Sequence, residues 1–129
     1  MKTKGFTLVE LLVVIAILAI LATVSVVGYT TYIKNANESL ALQEMTQVKS
    51  AILAEDITNT GFAVGTDGTV TETTTGSFQT FLDKLDANLN GELTWSGSEV
   101  TYTSEKVDGL TAVLDLADGS VTVTTTTTP

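Results

Sequence analysis

The sequence predicts an α+β fold in which one long N-terminal helix, transmembrane in its front half and amphipathic in its back half, packs on a small antiparallel β-sheet. Three observations carry this. Leu11 to Ile33 is a run of 23 residues without a single charge. Apolar residues then recur at helical intervals as far as Ile52. From about Leu93 onward apolar and polar residues alternate in short runs separated by turn signals.

At a rise of 1.5 Å per residue the uncharged run makes a helix of about 35 Å, enough to cross a bilayer core. Lys2 and Lys4 precede it, and basic flanks hold that side of a span in the cytoplasm. Everything after Ile33 is then expected outside. A plain membrane anchor, or a secretory signal cut after a small residue such as Ala22 or Gly28, has the same apolar core. Neither explains Glu10, an acid set between the basic start and the apolar run, where it opposes insertion.

Behind the apolar run, Ile33, Ala36, Leu40, Met45, Val48 and Ile52 form an apolar stripe, with Asn37, Glu38, Gln43, Glu44, Gln47 and Lys49 as polar positions between them. The stripe is expected to pack on the head. The period stops at Asn59-Thr60-Gly61, where a glycine ends the helix. A helix from Phe6 to Thr58 is about 80 Å long.

In the head, Gly65-Thr66-Asp67-Gly68 reads as a turn, and the threonine-rich stretch to Thr75 as a loop or edge strand. Ser77 is placed to cap a helix carrying Phe78, Phe81, Leu82, Leu85 and Leu89, stopped by Asn90-Gly91. Four strands follow, carrying Leu93 and Trp95, Val100 and Tyr102, Ala112 to Leu116, and Val121 and Val123. Asp118-Gly119 marks a hairpin. Threonine suits an exposed edge strand, so the Thr124–Thr128 run is expected to finish the sheet.

Composition narrows the function. The chain has 15 acids against 6 lysines, a formal net charge of −9, and neither histidine nor cysteine. Such a chain repels nucleic-acid phosphates, so no nucleic-acid partner is predicted. Without histidine or cysteine, the commonest general base, zinc ligand and thiol nucleophile are gone. No enzyme activity and no cofactor are expected. One metal motif calls for weighing. Asp86-Ala87-Asn88-Leu89-Asn90-Gly91 matches the first half of a calcium loop, with oxygen ligands at Asp86, Asn88 and Asn90. Its twelfth position is Gly97, where a bidentate glutamate is needed, although Glu92 and Glu99 lie nearby. Aspartate, asparagine and glycine also serve turns for backbone reasons alone, and the turn is the preferred reading.

The segment Lys4-Gly5-Phe6-Thr7-Leu8-Val9-Glu10-Leu11-Leu12-Val13-Val14-Ile15-Ala16-Ile17 resembles the class III signal of type IV prepilins and type II secretion pseudopilins. The likeness runs from Lys4 to Tyr32. It implies cleavage by a prepilin peptidase between Gly5 and Phe6 on the cytoplasmic side, then N-methylation of Phe6. The apolar helix is kept and becomes a filament core. Glu10 stands four residues after Phe6, on the same helix face. The resemblance gives its carboxylate the Phe6 amine of a neighbouring subunit as partner, which would cancel two otherwise buried charges. Its other reading is a capping box, with Thr7 as N-cap and Glu10 three residues on.

Four segments follow from that resemblance: a leader at 1–5, a transmembrane and filament-core helix at 6–33, its amphipathic continuation at 34–60, and a small pilin-like α/β head at 61–129. The implied partners are further copies of the chain, the prepilin peptidase, the pilus or secretion assembly machinery, and the membrane before assembly. The implied location is the cytoplasmic membrane, with the N-terminus inside, and then a surface filament. A pseudopilin of a secretion or DNA-uptake system shares this front end, and a single-span anchored binding domain remains the alternative of another class. Two departures stand out. Relatives often carry proline where this chain has Val27, followed here by Gly28, and many close a C-terminal loop with a disulfide that a cysteine-free chain cannot form. The second favours a pseudopilin or a Gram-positive pilin.

Overall fold

The computed structural model describes residues 4–58 and 61–126. Met1 to Thr3, the expected helix end at Asn59-Thr60 and the last residues of the threonine tail lie outside them. Two compact units make up the chain, Met1–Ala36 and Asn37–Pro129. A single helix, α1 (Leu8–Thr58), runs from the first into the second.

The first unit is the apolar part of α1 and the extended residues before it. Every described residue from Lys4 to Ala36 is exposed, and the helix is long and apolar enough to cross a membrane. Its serine and threonine hydroxyls are turned inward on the backbone. Thr23 donates to the Ile20 carbonyl at 2.7 Å, Ser25 to Leu21 at 2.8 Å, and Thr30 and Thr31 both to Val27. Each bond satisfies a donor that lipid could not, so the surface stays apolar despite its polar residues. The helix continues unbroken through Val27 and Gly28.

The second unit is the head. From α1 it buries Ala41, Met45, Val48 and Ile52. The buried stripe thus begins at Ala41 and not at Leu40, which is 41% exposed. Spacings of four, three and four keep all four side chains on one helix face, whereas Leu40 points about 100° away from Ala41.

Beyond α1, a short hairpin of β1 (Phe62–Val64) and β2 (Val70–Glu72) precedes α2 (Ser77–Asp86). Then β3 (Gly91–Ser96), β4 (Glu99–Ser104), β5 (Leu110–Asp115) and β6 (Val121–Thr125) form an antiparallel sheet in sequence order. A small antiparallel sheet was expected, and its order is that of a meander. Alternation puts Leu93, Val100, Tyr102, Leu110, Ala112 and Leu114 on the buried face, in one core with the α1 stripe. Gly119 has φ 72°, as its hairpin requires. Phe78 and Leu82 are buried from α2, and the Phe78 ring meets Phe62 and Trp95 edge-on at 4.7 and 5.0 Å.

Three local expectations are corrected. The stretch before α2 is a hairpin, with β1 where no strand was expected. Ser77 is the first residue of α2, and Gly76 is its N-cap. The Ser77 hydroxyl instead donates to the Gly61 carbonyl at 2.7 Å, while the Glu72 carboxylate accepts from the N–H groups of Gly76 and Phe78 at 2.9 and 2.8 Å. A glutamate from the preceding strand therefore satisfies the helix start, at the end of the helix dipole that favours an acid. Finally, α2 ends at Asp86, before Asn90-Gly91. Asn88 and Leu89 close the turn there with N–H bonds to Leu85 and Asp86.

Candidate processing and assembly site

The residues of the N-terminal signal are set out where α1 begins. Lys4 to Thr7 are non-helical and exposed, and Phe6 is 93% exposed. Thr7 and Glu10 then form the reciprocal cap. The Thr7 N–H donates to Glu10 Oε2 at 2.8 Å and the Thr7 hydroxyl to the same oxygen at 3.0 Å. The Glu10 N–H donates back to Thr7 Oγ1 at 3.3 Å. The capping-box reading of Glu10 thus describes the uncleaved chain. Both bonds to the carboxylate fall on Oε2.

Gly5 is the informative residue. A Cβ built there would meet no other heavy atom within 4 Å, and its φ lies outside the left-handed range. Neither packing nor backbone conformation requires glycine at this position. Thr7 and Glu10 thus serve the helix start, whereas among the described residues no packing contact calls for glycine at position 5.

The head places Asp86, Asn88 and Asn90 apart in function. Asp86 Oδ1 accepts from the Leu93 N–H at 3.1 Å, Asn88 Nδ2 donates to the Lys84 carbonyl at 3.3 Å, and Asn90 Nδ2 donates to Glu44. Their side chains serve the α2–β3 turn and the core. Among the described residues no group of three histidines, cysteines, aspartates or glutamates is placed to hold a metal ion. Sequence reasoning gave Glu44 only as a polar position between the apolar ones and missed its burial, at 6% exposure. Its place between Ala41, Met45 and Val48 on the buried face was the available signal.

A long apolar helix and a four-stranded antiparallel sheet in the order described define a pilin-like α+β layout. The family described as the prokaryotic N-terminal methylation motif matches residues 1–26, so the chain carries the class III signal of type IV pilins and pseudopilins. That signal implies processing by a prepilin peptidase and assembly into filaments. Comparison with curated proteins and with solved structures gives no match.

Proposed function

We propose that this chain is a structural subunit of a type IV pilus or pilus-like filament, with no catalytic role of its own. It inserts in the cytoplasmic membrane with its N-terminus inside and loses residues 1–5 to a prepilin peptidase. N-methylated at Phe6, it joins a surface homopolymer through its apolar helix. The observation that carries this reading is a helix start whose glycine the fold does not need, followed by an apolar surface that the fold does not bury.

The physical logic is a change of solvent. Before assembly, lipid covers the apolar residues; in the filament, equivalent helices of other copies cover them. Glu10 then changes partner. Cleavage after Gly5 creates a cationic amine at Phe6, and in an apolar filament core that amine and the Glu10 carboxylate of a neighbour are stable only as a pair. A pseudopilin in a secretion or DNA-uptake machine would use the same steps, and the cysteine-free chain favours either that reading or a pilin of a Gram-positive lineage.

The test divides the chain where it divides itself. A fragment starting near Asn35 keeps the buried stripe, α2 and both sheets, and it lacks the apolar surface. It is expected to be soluble, folded by circular dichroism and monomeric by sedimentation, while the mature full-length chain assembles. Filaments formed by the fragment alone would place the assembly determinant in the head and contradict the reading.

A further inference from the structure

The two edges of the head sheet are finished differently. At the β3 edge the Leu93 N–H donates to Asp86 Oδ1 at 3.1 Å, and α2 packs alongside. The β6 edge has no such cover. Bonds from the Asp115 N–H to the Ser120 carbonyl and from the Thr126 N–H to the Gly109 carbonyl fix the alternation of the β5–β6 ladder. Thr122 and Thr124 therefore turn their backbone groups to β5, and Val121, Val123 and Thr125 turn theirs outward. Among the described residues those outward groups find no hydrogen-bond partner. Natural edges are commonly guarded by a charge, a proline or a bulge. The strand Val121–Thr125 has none of these: it pairs with β5 residue for residue, and no charged side chain occurs from Ser120 to Pro129 in a chain of net charge −9. Its inward valines, Val121 and Val123, stay half-buried, whereas Ala112 and Leu114 beside them on β5 are at 0% exposure. The apolar core thus runs out to this edge and stops uncovered.

The strand is complementary to itself. Two copies set antiparallel about Val123 place Val123 opposite Val123 and Val121 opposite Thr125, and each facing pair can exchange both of its N–H···O bonds. On the outer face Thr122 of one copy meets Thr124 of the other, a pairing that stabilises sheets, and no like charges stand opposite. The ends match as well. Lys49 reaches the Gly119 end of β6, beside Asp118, and Glu38 bonds Thr125 at the other end. Antiparallel pairing brings the Glu38 end of one head to the Lys49 end of the other, so each Glu38 approaches a lysine.

We propose that the β6 edge is a strand-addition surface for the β6 edge of a second copy, joining two head sheets across a two-fold axis. The two heads then point opposite ways. Heads along one filament all point the same way, so the contact joins separate filaments and not neighbours within one. That last step rests on the filament reading; the strand contact itself does not. Five residues a side fall far short of the roughly 20–30 of a stable interface. Free heads therefore stay monomeric, and the contact acts where arrays of heads meet, through many weak pairs at once.

The chain has no cysteine, so disulfide trapping reads the contact in the full-length protein, held at high concentration in detergent micelles. Thr122→Cys and Thr124→Cys each place one thiol on the exposed face of β6. Antiparallel pairing sets position 122 of one copy about 4.5 Å from position 124 of the other between Cα atoms, within bridging distance. Like positions lie on the diagonal at roughly 7–8 Å, beyond it. A mixture of the two variants is therefore expected to give mixed disulfide at about tenfold the yield of either variant alone. Adding Val123→Pro to both chains removes an outward N–H and leaves the bonds to β5 in place, and it is expected to return the mixture to background. Equal disulfide in the mixture and in each variant alone, the pattern of chance collision or of parallel pairing, would overturn the proposal. So would a mixture no higher than an exposed Thr94→Cys control on β3, or a yield that Val123→Pro leaves unchanged.

Discussion

Glu10→Gln is expected to enter the membrane and to be cleaved, yet to reach the filament at a yield lower by orders of magnitude. The substitution is chosen because it separates two roles. Glutamine also serves in a capping box, so the bonds between residue 10 and Thr7 at the start of α1 have a replacement. It cannot neutralise an amine. In a filament core the Phe6 amine of the next subunit would then stay charged and unpaired, and losing one partner of a buried pair costs about 3–5 kcal/mol. Each 1.4 kcal/mol is a factor of ten in an equilibrium constant, so every addition step weakens by about two to three orders of magnitude. Sheared filament measured against the membrane pool reads this directly. Equal ratios for variant and wild type would leave Glu10 as a helix cap and remove the pairing mechanism.

Gly5→Val is expected to abolish processing without disturbing the fold. A side chain at position 5 meets open space, and the backbone there is one that L residues adopt. The helix and the head should therefore form as before. A β-branched residue at the proposed cleavage position would instead obstruct a peptidase whose site must accept a small residue there. The outcome to look for is a full-length precursor held in the membrane of cells with an active prepilin peptidase. Normal trimming in those cells would show that Gly5 does not set the cleavage site.

The features legible in the sequence are those with a period. Apolar runs and alternation specified α1 and the four strands, because burial on one face imposes a repeat of 3.6 or 2. What escaped depends on partners distant in sequence. The start of α2 was read as a serine cap, but Glu72 reaches in from β2, and Ser77 is drawn off to Gly61. The β1–β2 hairpin is three residues a strand, too short for a pattern, and its Phe62 is buried through contact with Phe78. The burial of Glu44 escaped as well, because the Asn90 amide that meets its carboxylate lies 46 residues on. At the candidate site, by contrast, Gly5, Phe6, Thr7 and Glu10 lie within six residues, so local reasoning reached the cap that Thr7 and Glu10 form.

The intact mass of the chain recovered from sheared surface filaments bears most directly on whether this protein is a filament subunit. The expected mass is that of a chain beginning at Phe6 and carrying one added methyl group. A surface fraction that begins at Met1, or that has been cut after Ala22 or Gly28, would contradict it and leave an anchored or secreted domain in its place.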